Sequence, residues 1–175
     1  MDYLKNFAIP FRGLKLGDHH FEYVIDEKFF DCIEYSEIKK GIVQVEIELN
    51  KQERMLIFEF SINGTVEVTC DRCLEMFDYP VEGNETLYVK LGDEWDEESD
   101  DVLIIPESEH EFNVSQLIYE YIILMLPIQR IHPDDEKGNS TCDPAMLEKL
   151  GAQPEPQETD PRWEALAQLK KILNN

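Results

Sequence analysis

The residues best placed to do chemistry are Cys70-Asp71-Arg72-Cys73, a C-x-x-C set where a run of β-strand pattern breaks. A tight bend at this spacing puts two sulfurs on one side, which suits a tetrahedral zinc ion. Two further donors lie downstream, His132 and Cys142. The resulting C-x2-C…H-x9-C pattern is not that of a standard finger or ribbon. Three thiolates, one neutral imidazole and Zn²⁺ would carry a net charge of −1, which Arg72 inside the bend would offset. A closed four-ligand site leaves no open position for substrate, so a zinc here would be structural and would contribute to folding. Two other readings stay open. The cysteines can be reduced and simply packed, or Cys70 and Cys73 can form a redox dithiol. A redox dithiol usually needs a helix N-terminus to stabilise its thiolate, and a strand precedes this motif.

Other reaction signatures are absent. The chain has no G-x-S-x-G, no phosphate-binding G-x-x-x-x-G-K-[ST], no H-E-x-x-H and no G-x-G-x-x-G. Cys32 sits in an apolar stretch and reads as core, and His19, His20 and His110 receive no role. With 38 acids against 16 bases, the formal net charge is −22. Nucleic-acid binding relies on lysine and arginine to neutralise phosphates, and no dense basic stripe is present. Extensive direct RNA binding is therefore disfavoured, and a basic protein partner is favoured. No basic-then-apolar opening marks a secretory signal, and no apolar run approaches the ~20 residues of a membrane span. A soluble, cytoplasmic protein is expected, in a compartment that keeps thiols reduced.

The elements that must position the cluster follow from hydropathy. Val43, Val45, Ile47 and Leu49 alternate with Gln44, Glu46 and Glu48, which predicts a half-buried strand. Further strands are expected over 20–25, 55–62, 65–70 and 77–91, with Asn63-Gly64 as a turn or bulge. Seven of the nine residues from Asp93 to Asp101 are acidic, which predicts a solvated loop over 92–101. A helix is expected over 113–126, with Asn113 as N-cap, Gln116 completing a capping box and Phe112 stapling Leu117. Apolar residues surround this helix, so it should be buried on most of its circumference and cover the sheet. Pro127 would stop it. A short helix over 144–150, capped by Asp143, should follow.

The expected organisation is one α+β domain over 1–150, a Pro- and Glu-rich linker over 151–159, and a C-terminal helix over 160–175. The sheet is expected to be curled and mainly antiparallel, with a barrel-like closure among its forms, and covered by the buried helix.

Four segments together resemble the YceD family, the large ribosomal RNA subunit accumulation proteins, formerly a domain of unknown function. They are residues 68–75 around the C-x-R-C, residues 118–128 ending in the E-x-x-x-L-x-L-P-like run, His132 with Cys142, and residues 160–170 from Asp160-Pro161-Arg162-Trp163. The motif positions carried over are Cys70, Arg72, Cys73, Leu74, Pro127, His132 and Cys142. The resemblance implies a non-catalytic accessory factor of large-subunit biogenesis that supports ribosomal RNA accumulation. With the charge reading, it points to a basic partner, such as a large-subunit ribosomal protein or an assembly intermediate. The competing class is a metal-dependent or thiol-based enzyme acting on RNA or protein.

Overall fold

The computed structural model describes residues 3–151. The chain divides into two compact units, one through His132 and one from Pro133 onward. The first unit opens with two short 3-10 turns around β1 (Ala8–Ile9), followed by β2 (Gly17–Ile25) and α1 (Glu27–Cys32). The run Phe29-Phe30-Asp31-Cys32 has no decisive periodicity of its own, and its helix is set by Asp26. The Asp26 carboxylate accepts the backbone N–H groups of Lys28 and Phe29, a side-chain N-cap. Both phenylalanines are buried, and Cys32 is half-buried.

Three long strands then build the sheet: β3 (Gly41–Lys51), β4 (Met55–Thr69) and β5 (Met76–Gly92). The alternation read for residues 43–49 is met residue by residue, with Val43, Val45, Ile47 and Leu49 buried and their neighbours exposed. β6 (Asp96–Ser99) and β7 (Val102–Pro106) complete a six-stranded sheet of order β2-β3-β4-β5-β7-β6. All its pairings are antiparallel except β5 with β7.

The fold is thus α+β with a mainly antiparallel sheet, as expected, but the sheet is open. Its end strands β2 and β6 each have one neighbour, so no barrel closes. The second correction concerns Asn63-Gly64, which make no turn. β4 runs straight through them, paired to β3 and β5. Glycine serves close approach here: a Cβ on Gly64 would lie 2.3 Å from the Ile42 carbonyl oxygen and 2.6 Å from Val43 Cα. Third, part of the acidic block is strand. Asp96–Ser99 is an exposed edge, where charge discourages pairing with other chains.

β8 (Phe112–Asn113) pairs with β1, and α2 (Ser115–Leu124) follows. The helix starts two residues later than expected. Asn113 belongs to β8, its amide donates to the Leu4 carbonyl, and its side-chain oxygen accepts the Ser115 N–H at 2.9 Å. Gln116 bonds Glu120 instead of completing a capping box. Ile118 and Ile122 are buried, and the Tyr121 ring packs 5.1 Å from Phe60. The core runs through Phe58 and Phe60 of β4, with Phe58 packed on Phe112. Leu124, however, is exposed, so burial does not extend round the helix.

In the second unit, the Asp135 carboxylate accepts backbone N–H groups from Lys137 and Asn139, which folds a tight polar loop. Those bonds hold the Asp135 carboxyl below its ordinary value, the Asn139 side chain contributing most. α3 (Pro144–Gly151) begins with Asp143 accepting the Ala145 N–H, as its sequence predicts. Apart from Gly151, the expected linker and the expected C-terminal helix lie outside the described residues. No described helix is long and apolar enough to cross a membrane.

Candidate metal centre

The β4–β5 hairpin ends in the C-x-x-C. Thr69 pairs with Met76, and the six residues between them form a knuckle. Two backbone bonds close it: the Leu74 N–H donates to the Cys70 carbonyl at 2.9 Å, and the Cys70 N–H to the Glu75 carbonyl at 2.8 Å. This closure drives Leu74 to φ +65°, the left-handed region where glycine is the unstrained choice. The Leu74 side chain and Arg72 point to solvent, while Cys70 and Cys73 are buried.

The segment after α2 is fastened to this knuckle by Asp71. The Asp71 N–H donates to the Arg130 carbonyl at 2.7 Å, and the Arg130 N–H donates to the Asp71 carboxylate at 2.7 Å. His132 follows two residues on. Its ring lies 4.5 Å from that of Phe77, tilted by 31°, and its Nδ1 is 3.4 Å from Cys73 Sγ.

The four predicted ligands form one group. The sulfurs of Cys70, Cys73 and Cys142 and a ring nitrogen of His132 all lie within 4.8 Å of one another. All three cysteines are buried, and none forms a disulfide among the described residues. Around tetrahedral zinc, sulfur–sulfur and sulfur–nitrogen edges are about 3.5–3.8 Å, given metal–ligand bonds near 2.3 and 2.0 Å. The 3.4 Å Cys73–His132 separation is close to such an edge. The four side chains lie close enough to hold a metal ion, and three thiols with one imidazole are a donor set that suits zinc.

The electrostatics favour a thiolate. Burial alone would raise the Cys70 thiol. The backbone N–H groups of Cys73, His132 and Arg72, helped by the His132 side chain, outweigh it and hold the thiol at about 5, against an ordinary 9.0. Arg72 thus acts on Cys70 through its backbone N–H. Three supporting residues had no signal in the sequence. Asp71 and Phe77 act across more than fifty residues, and the Arg130 guanidinium reaches Glu37 at 3.1 Å. Pro127 is half-buried just past α2.

Residues 58–170 match the sequence model of the large ribosomal RNA subunit accumulation protein YceD. The chain is also 25% identical over 154 residues to the uncharacterized protein YlbN of Bacillus subtilis strain 168, covering 82% of this chain and 88% of that protein. No solved structure matches it. The family match spans more than half of the chain and includes the knuckle, α2, His132 and Cys142, so the chain belongs to the YceD family of large ribosomal RNA subunit accumulation proteins.

Proposed function

We propose that this protein is a non-catalytic, cytoplasmic accessory factor in the accumulation of large-subunit ribosomal RNA, and that it works by binding a basic protein. The family's name supplies the process and names no reaction. The observation that carries the mode of action is the charge of −22, which repels a polyanion and attracts a cationic partner. A large-subunit ribosomal protein or an assembly intermediate that displays one has the required chemistry.

In this reading Cys70, Cys73, His132 and Cys142 hold a structural zinc ion. Bound there, the metal would supply cross-linking and no reactive position, since four protein donors complete the tetrahedron. The low-lying Cys70 thiol gives the rival reading, a thiol enzyme, its best support. Access argues against it. Cys70 is 0% exposed and Cys73 is 3% exposed, whereas a nucleophile must meet its substrate.

Affinity capture from lysate, with nuclease treatment before elution, tests the proposal. The expected result is a basic ribosomal protein retained without RNA. Tight, salt-sensitive binding of the purified protein to naked ribosomal RNA would contradict it.

A further inference from the structure

We infer that the groove along the exposed flank of α2 docks a basic protein segment, seating an apolar side chain between Tyr35 and Leu124. The inference rests on the proposed basic partner and names the surface that meets it.

The groove is lined by Tyr35, Glu37, Tyr119, Glu120, Ile123 and Leu124. Its apolar walls stand in water: Tyr35 is 89% exposed and Leu124 is 74% exposed. Ile128, just beyond the helix, is fully exposed as well. These residues explain why an all-round apolar helix is buried on one side only.

The Tyr35 loop is held firmly in this pose. The Ser36 hydroxyl donates to the Ile38 carbonyl at 2.6 Å, and Ile38 is buried. The Glu37 N–H donates to the Tyr119 hydroxyl, and the Glu37 carboxylate pairs with Arg130. Tyr35 itself has φ +62°, a left-handed conformation unfavourable for a tyrosine. An exposed aromatic on a braced, strained backbone is the arrangement expected of a preformed binding anchor.

The rim charges identify the occupant. Glu37 and Glu120 flank the apolar walls, and Glu34 precedes Tyr35. Arg130 is the described cation paired with Glu37, and no described cation pairs with Glu34 or Glu120. An acidic rim rejects phosphates and anionic lipid, and complements lysine or arginine beside an apolar residue. The mode is that of an apolar anchor in a groove with charge at its edge.

The test uses the full chain as purified, labelled with ¹⁵N, and a synthetic lysine-rich peptide carrying leucine anchors. The expected result is shift changes centred on Tyr35, Glu120 and Leu124. Leu124→Asp should weaken binding by about tenfold or more without moving the thermal midpoint, as for an anchor residue. Glu120→Lys should weaken it as well. Equal binding of the same peptide with serines for leucines, mapping to the outer sheet face or to Asp96–Ser99, would overturn the groove while leaving the basic partner standing. So would undiminished capture of the lysate partner by Leu124→Asp. Failure of every lysine-rich peptide and of lysate capture would overturn both. Two other occupants would also overturn the inference: a second copy, seen as self-association lost in Leu124→Asp, or contacts from Trp163 to Leu124 in the peptide-free protein.

Discussion

Midway along the β4–β5 hairpin, Phe58 and Phe60 are buried against Phe112 and Tyr121. At its tip, Leu74 and Met76 stand in solvent, and the buried side chains are thiols. The middle is held by apolar burial, worth about 1.5–3 kcal/mol for each such side chain. The tip has backbone bonds, one strained residue and a set of metal donors. One hairpin therefore combines a stretch held by its own core with a tip that, in the proposed reading, a bound metal would rigidify. The candidate chemistry sits where hydrophobic stabilisation runs out.

Three perturbations probe this contrast, in falling order of effect. Phe60→Ala removes a core ring and should cost about 3–5 kcal/mol, read as a loss of global stability in denaturant whether or not metal is present. An equal loss confined to the metal-bound protein would break the contrast. At the tip, pH is the lever in metal-free protein. The folded Cys70 thiol is held at about 5 against an ordinary 9.0. Its stabilising contribution is complete above the unfolded value and fades as pH falls through the folded one. Stability should therefore decline from about pH 9 to 5, and Cys70→Ser should flatten that slope. A slope unchanged by Cys70→Ser would remove Cys70 from the account. The smallest effect is at Leu74. A left-handed residue other than glycine costs about 1–2 kcal/mol, and glycine's extra chain entropy offsets about 0.5–1. Leu74→Gly should stabilise the metal-bound protein by about 0.5 kcal/mol in thermal unfolding, and a clear destabilisation would show that the side chain packs.

What could be read in advance divides along the same line. The β3 alternation was legible because one face of that strand is buried and the other wet. The proximity of Cys70, Cys73, His132 and Cys142 was legible because thiols and imidazoles are rare in this chain and few positions compete. Asn63-Gly64 misled because glycine marks both tight turns and close backbone approach, and only the neighbouring Ile42 and Val43 decide between them. β7 was missed because its parallel pairing with β5 is a tertiary fact without a periodic signature. Asn113 bonds the first turn as a cap would, yet its pairing with Ala8 keeps it in a strand. Asp71, Arg130 and Phe77 were illegible for the same reason, since each acts on a residue far away in sequence.

The central claim is that Cys70, Cys73, His132 and Cys142 form a closed structural site, and metal analysis of the purified chain paired with hydrogen exchange tests it most directly. The account predicts one zinc per chain, lost in Cys73→Ser and in Cys142→Ser. Chelation should expose the Cys70 and Leu74 amides while those of Phe58 and Phe60 stay protected. A metal-free protein whose knuckle amides are already as protected as its core, with Cys70 and Cys73 reacting rapidly as a pair, would contradict it.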